Sequence, residues 1–278
     1  MYQLKRKPIA GMNLSYKMFS FDYFLDSMNR IGFESIELYG ASPHFYVPDL
    51  TAADVAAFSK KIRSRGLSLV CYTPEQCSYP ENIAAPCPVA RKRSVAAYQK
   101  TIQVGADLGS PLILMTSGWG DFDEDPAEAW KRSADSLAQL AKTAEESGII
   151  IVLEPLRVEE TNVVSSLQDA KRMVDEVNSP ALKVMLDTSP MYNHGETIED
   201  YFAAFGEDMR HIHFIDGDPA GHLVWGEGIF PLQDYLAQLT ARQYTGALTL
   251  ELTASKYYTD PHTSMEAAFR YLAPYFAE

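Results

Sequence analysis

The chain has 278 residues, 46% of them hydrophobic, which is enough to bury a sizeable core, and α/β barrels of this length commonly form one domain. Its formal net charge of −13 at pH 7 disfavours nucleic acid and anionic membrane surfaces as partners. The three cysteines form no CxxC pair, and no apolar run approaches the ~18 residues of a membrane span or resembles a signal peptide. We therefore expect a cytoplasmic protein without a disulfide framework.

Short apolar runs alternate with longer helical patterns along the chain. In chain order the runs are PIAGMNL (8–14), SIELYG (35–40), LSLVCYT (67–73), LILMTS (112–117), IIIVLEP (149–155), LKVMLDT (182–188), HIHFID (211–216) and LTLELT (248–253). Most of these runs are too continuously apolar for half-exposed strands. This pattern predicts a parallel sheet whose faces are covered by helices.

The segments between the runs carry helix start and stop signals. Asp125 and Pro126 begin a helix that ends before Gly148, and Asp260 and Pro261 begin the last helix. Further helices are predicted at about 19–31, 51–65, 89–108, 166–177, 198–205 and 231–242.

Eight strand–helix units predict an α/β protein with a single (β/α)8 TIM barrel over residues 1–278. A doubly wound open sheet is the alternative architecture. It would usually bring a glycine-rich nucleotide loop after an early strand, and AGMN at 10–13 does not match that pattern.

Four side chains suited to metal binding lie at the ends of the last four predicted strands, where barrel enzymes have their active sites: Glu154, Asp187, His213 and Glu251. Three carboxylates in a dry mouth would repel one another unless a cation neutralised them, so the set predicts one divalent ion. Ligands without sulfur favour Mn²⁺, with Co²⁺, Mg²⁺ and Zn²⁺ as alternatives. His211 alternates with His213 on the same strand, so the pattern alone does not choose between them.

The ordered segments VLEP, MLDTS, HIHFID and LTLEL resemble the strand ends of the sugar isomerase/epimerase superfamily, which has a xylose-isomerase-like TIM barrel. Within it, IELYGASPHFYVPDL, YTPEQCSYPEN, VLEPLRVEETNVV and HLVWGEGIFPL are most similar to the fructoselysine 3-epimerase branch, and the resemblance covers nearly the whole chain. It implies that His213 rather than His211 joins Glu154, Asp187 and Glu251 as a metal ligand. It also implies acid–base roles for Glu154 and Glu251.

The same resemblance implies substrate contacts at Glu160 and His222. Ketose 3-epimerases typically have a histidine where this chain has Pro190, and an arginine where it has Pro219. These two differences argue against a free ketose held in the usual way. They also argue against a DNA repair endonuclease, which needs extra histidines and a cationic surface.

Several other residues are candidates from their positions alone. Trp119 and Trp225 follow predicted strands and are candidates for an apolar wall beside a sugar, with ordinary loop packing as an equal alternative. Glu37 and Glu75 follow early strands as candidate hydroxyl contacts, although solvated loop carboxylates are commoner. An acidic set near the mouth is expected to attract an ammonium group and to repel phosphate; its members are Glu160, Asp216, Asp218 and Glu227.

This set of residues predicts a metal-dependent isomerase acting on a small-molecule sugar. Epimerisation beside a carbonyl starts with proton removal, the cation stabilises the enediolate, and carboxylates on opposite faces allow inversion. The expected substrate is a ketose or ketosamine without phosphate, including amino-acid conjugates such as fructoselysine. A metal-dependent dehydratase or lyase starts in the same way and is the first alternative, and a non-catalytic sugar-binding barrel is the second. Assembly into a homo-oligomer is left open.

Overall fold

The computed structural model describes residues 9–76, 80–218 and 221–275, so that Cys77, Pro219 and the opening segment 1–8 lie outside the described residues. The strands are β1 Ile9–Met12, β2 Ser35–Gly40, β3 Ser68–Pro74, β4 Leu112–Met115, β5 Ile150–Leu153, β6 Leu182–Asp187, β7 Met209–His213, β8 Asp216–Asp218, β9 Gly221–Leu223 and β10 Ala247–Leu250. β1 pairs in parallel with β2 on one side and with β10 on the other. This closes a barrel in the order β1-β10-β7-β6-β5-β4-β3-β2 and confirms the predicted (β/α)8 fold.

The helices follow the predicted positions to within about two residues. They are α1 Phe21–Ile31, α2 Ala52–Ser64, α3 Pro88–Leu108, α4 Pro126–Ser147, α5 Leu167–Val177, α6 Thr188–Asn193, α7 Ile198–Phe205, α8 Leu232–Ala241 and α9 Pro261–Leu272. The N-cap of α4 is Asp125, whose side chain accepts the Ala127 amide, and Gly148 ends this helix in the left-handed conformation. The short helix α6 and the β8–β9 hairpin are absent from the prediction. No helix within the described ranges is long and apolar enough to span a bilayer.

Strand alternation separates the core into two layers. The larger layer packs the outer strand faces against the helices, whereas a small inner layer fills the barrel with Cys71, Leu112, Leu114, Val152 and Met185. Because side chains alternate along a strand, residues two positions after these inner residues also point inward. This register directs the polar residues at the carboxyl ends of the strands toward the mouth of the barrel.

The loop after β7 is organised around the carboxylate of Asp216, whose side chain is buried. Its Oδ1 accepts hydrogen bonds from the amides of Gly217 (2.8 Å) and Phe230 (3.0 Å), and its Oδ2 accepts from Gly226 (2.9 Å) and Gly228 (2.8 Å). A Cβ at Gly228 would lie 2.3 Å from the Gly217 carbonyl oxygen, so this close approach requires glycine. One carboxylate therefore holds the β8–β9 hairpin to the segment that leads into α8.

We expect Asp216→Ala to lower the free energy of unfolding by about 2–4 kcal/mol, because it removes the acceptor of four backbone amides. Urea denaturation followed by circular dichroism measures this change. Asp107→Ala, on the exposed face of α3, is the matched control and should stay close to the parent protein. A loss no larger than that of the control would show that the loop is organised by other contacts.

Candidate active site

Four polar residues converge at the mouth of the barrel. Asp187 and His213 are the last residues of β6 and β7, while Glu154 and Glu251 directly follow β5 and β10. The Nδ1 atom of His213 lies 3.3 Å from Glu154 Oε1, 3.3 Å from Glu251 Oε2 and 3.7 Å from Asp187 Oδ2. The barrel thus brings together residues that are far apart in the sequence.

His222 approaches the same carboxylates from above the barrel. It lies on β9, with Nδ1 3.0 Å from Glu251 Oε2 and Nε2 3.4 Å from Asp187 Oδ2. The hairpin that Asp216 holds in place therefore delivers a second imidazole to the site.

Burial and neighbouring charges shift the pKa values of the titratable groups in this site. Burial raises the pKa of Glu154 to about 7, and the neighbouring carboxylates of Glu251 and Asp187 add to this effect. Burial alone would lower the pKa of His222, but Asp187 and Glu251 raise it to about 9. Burial also disfavours the charged form of Glu251, yet His213 and His222 hold the pKa of this carboxyl well below its usual range. The buried carboxylates of this site therefore require neighbouring positive charge to remain ionised together.

The donor set fits a divalent cation. The Nδ1 atom of His213 is buried and forms no hydrogen bond within the described residues, although it points at three carboxylates. At the mouth, two groups among the described residues hold potential ligand atoms within 4.8 Å of one another: Glu154 with Asp187 and His213, and Asp187 with His222 and Glu251. Oxygen and imidazole ligands of this kind suit borderline-hard ions such as Mn²⁺.

A cavity of about 270 Å³ opens above these ligands and is large enough for a small sugar. Its wall includes Pro190, Glu75 and Glu160, together with Tyr39, whose hydroxyl donates a hydrogen bond to the Glu75 carboxylate. The Glu160 carboxylate accepts two hydrogen bonds from the guanidinium of Arg157, at 3.0 and 2.9 Å. Glu160 therefore lies within reach of a bound molecule, but as one half of an ion pair.

Asp216, one of the acidic residues expected near the mouth, contacts the backbone of its own loop. This residue does not line the cavity, and its two oxygens are already engaged by the four backbone amides described above. Of the other acidic residues expected near the mouth, Glu160 lines the cavity, where it is paired with Arg157. Glu227 and Asp218 are not among the lining residues; Glu227 accepts a hydrogen bond from Lys256 Nζ at 2.7 Å, and Asp218 lies in strand β8.

Neither of the two tryptophans lines the cavity above the candidate metal ligands. Trp119 lines a neighbouring depression with Phe122 and Glu160, and it is absent from the lining of the cavity itself. Trp225 is buried, and its Nε1 donates a hydrogen bond to the Phe214 carbonyl oxygen at 3.1 Å. Ordinary core packing therefore accounts for Trp225, and Trp119 borders the site from outside.

Glu37 is the polar residue that the sequence reasoning misjudged. It is fully buried in β2 instead of being a solvated loop carboxylate, and it contacts His211 and His213 beneath the mouth. A signal was present, because Glu37 interrupts the apolar run SIELYG much as Glu154 ends IIIVLE. The contacts across the barrel that explain it depend on strand order and are not visible in the sequence.

The chain belongs to the xylose isomerase-like TIM barrel family, whose pattern matches residues 25–275. It is 30% identical to fructoselysine 3-epimerase of Shigella flexneri over 88% of this chain and 91% of that protein. It is 25% identical to D-psicose 3-epimerase of Ruminiclostridium cellulolyticum, over 83% and 78% of the two chains.

Among solved structures, 3-keto-D-glucoside 4-epimerase from E. coli superposes with a TM-score of 0.80, at 18% identity and over 96% of this chain and 99% of that chain. At this level of identity the likeness establishes the fold alone, and it agrees with the closed barrel described above. The two relatives in sequence named above are sugar 3-epimerases, and the expected superfamily is confirmed.

We expect Asp187→Asn and His213→Ala each to reduce the Mn²⁺ bound to purified protein, because each removes one ligand from a shared set. Asp187→Asn leaves an oxygen to accept the Ser189 amide, so the start of α6 is retained. Elemental analysis after dialysis against Mn²⁺ measures the stoichiometry. His194→Ala, an exposed histidine at the end of α6, is the control and should bind metal as the parent does. Unchanged metal content in both ligand variants would contradict this assignment.

Proposed function

We propose that this protein is a divalent-metal-dependent sugar epimerase that inverts a carbon beside the carbonyl of a ketose or ketosamine. The observation that carries the proposal is the placement of Glu154 and Glu251, each of which has a carboxylate oxygen 3.3 Å from the same imidazole nitrogen, Nδ1 of His213. β7 and β6 separate the strands that carry them. The sugar 3-epimerases among the relatives support the same class of reaction, an isomerisation.

Glu154, Asp187, His213 and Glu251 would hold the metal ion. A divalent cation supplies positive charge next to the carbonyl and hydroxyl oxygens of the sugar, which favours the negative charge that forms when the neighbouring carbon loses its proton. One of the two glutamates removes this proton, and the other returns a proton to the opposite face, so the carbon is inverted. Burial raises the pKa of Glu154 to about 7, which supports a role for this carboxyl in proton transfer.

The wall of the cavity supports a substrate without phosphate. Among the described residues that line it, Arg157 is the one arginine or lysine, and its guanidinium is already engaged by Glu160. A phosphate group would therefore meet no unpaired guanidinium or ammonium group. We propose Glu160 and His222 as contacts to sugar hydroxyls, and a ketosamine conjugate such as fructoselysine as the substrate, on the strength of the relative that is 30% identical.

We expect Glu154→Gln and Glu251→Gln each to lower kcat by about 10²–10⁴-fold, because an amide keeps the shape but no longer transfers the proton. Steady-state kinetics on the epimerised sugar provide the measurement. Glu159→Gln, an exposed residue in the same loop as Glu160, is the control and should turn over normally. If only one of the two variants lost activity, a single-base mechanism that works on one face would replace the two-base mechanism.

The substrate class can be tested by comparing kcat/KM for fructoselysine, its 3-epimer, fructose, psicose and fructose 6-phosphate. The cavity lining leads us to expect a higher kcat/KM for the unphosphorylated sugars than for the phosphate ester. The similarity to fructoselysine 3-epimerase leads us to expect the highest value for the ketosamine. A preference for the phosphate ester would contradict the proposed substrate. Loss of water from the sugar would indicate a dehydratase, and binding without turnover by metal-loaded protein would indicate a sugar-binding barrel.

A further inference from the structure

We propose that Glu37 is a positioning residue that orients His213 for metal binding through the nitrogen on the far side of its ring. This inference rests on the metal site proposed above, but it concerns a residue outside the ligand set and its readout is metal affinity. Glu37 lies in β2, across the barrel from the strands that carry the ligands, and it is fully buried.

Three donors converge on this one carboxylate. His213 Nε2 lies 3.0 Å from Glu37 Oε1, and His211 Nε2 lies 2.6 Å from Glu37 Oε2. The hydroxyl of Thr73, on β3, donates a third hydrogen bond to Glu37 Oε1. With contacts on both oxygens, the carboxylate is held in one orientation, and the His213 ring is held with it.

The contact between Glu37 and His213 Nε2 affects the other ring nitrogen of His213, Nδ1. A neutral imidazole carries its proton on one nitrogen and its lone pair on the other, and an ionised carboxylate only accepts hydrogen bonds. Glu37 therefore places a proton on His213 Nε2, and the lone pair is left on Nδ1, the atom that faces Glu154, Asp187 and Glu251. Carboxylates behind metal-bound histidines act in this way, and their loss typically weakens metal binding by about 10–100-fold.

The position of Glu37 argues against a direct contact with substrate. Its carboxylate lies on the Nε2 side of His213, away from the three acidic side chains, and the residue is absent from the lining of the cavity. It does, however, form a group with Cys71 and His211 whose potential ligand atoms lie within 4.8 Å of one another. Binding of a second metal ion by this group is the competing explanation that the experiment must separate.

The test measures Mn²⁺ affinity of metal-stripped protein by chelator competition, in Glu37→Gln, His213→Ala and the double variant. An amide can accept on only one side, so Glu37→Gln cannot accept from both imidazoles. We expect the Kd for Mn²⁺ to rise about 10–100-fold in Glu37→Gln. In the His213→Ala background the same substitution should have no further effect, because its target is already absent. Glu34→Gln, an exposed neighbour just before β2, should bind Mn²⁺ as the parent does.

Equal Mn²⁺ affinity of Glu37→Gln and the parent would overturn the inference. So would an equal loss of Mn²⁺ affinity when Glu37→Gln is introduced into the parent and into His213→Ala. Two ions per parent chain, one of which is lost in Glu37→Gln, would identify Glu37 as a ligand and would also overturn it. If Glu37→Gln does not fold, ¹⁵N NMR of the Zn²⁺-loaded parent shows, without a variant, which nitrogen of His213 carries the proton and which binds the metal. A proton on Nε2 of His213 and a metal bond at Nδ1 are expected, and the reverse pattern would contradict the inference. Because none of these readouts is turnover, they stand even if the epimerase proposal fails.

Discussion

The concentration of negative charge in the buried mouth of the barrel is the constraint on which the rest of the site depends. Moving a single unpaired carboxylate out of water costs several kcal/mol, and here three of them surround one imidazole nitrogen. Two imidazoles lie beside these carboxylates, His213 from the barrel and His222 from the β8–β9 hairpin. Burial also raises the pKa of Glu154 to about 7. These features fit a site that could hold a divalent cation.

Three features of the surrounding structure position the charged residues of the site. Parallel strands bring the ligands to one end, and their alternation points each ligand inward above the inner core layer. Asp216 gathers four backbone amides and so fixes the hairpin that carries His222. Beneath the ligands, Glu37 engages the other edge of the His213 ring. The proposed chemistry therefore depends on buried polar contacts outside the candidate ligand set as well as on the candidate ligands.

Much of the fold and the four converging site residues could be predicted from the sequence, because the fold follows from local patterns. All eight barrel strands and the positions of the long helices follow from apolar runs and capping residues, and the convergence of Glu154, Asp187, His213 and Glu251 follows from the carboxyl-end rule of parallel barrels. The roles that could not be predicted share one cause. Asp216, Trp225 and Glu37 have roles set by partners on other elements, namely backbone amides of a loop, the Phe214 carbonyl and two histidines across the barrel. No local pattern encodes these pairings, although an acid inside an apolar strand signals that one exists.

The fold alone does not decide the reaction, since one barrel supports many chemistries. We propose that Glu154 and Glu251, which both lie beside His213, make the reaction an inversion at carbon. Incubation of the metal-loaded protein with its sugar in ²H₂O tests this claim most directly. Two-sided exchange predicts that the first product molecules carry one deuterium at the inverted carbon, while the remaining substrate keeps its own hydrogen. Product that forms at the same rate but retains the substrate hydrogen would contradict the account.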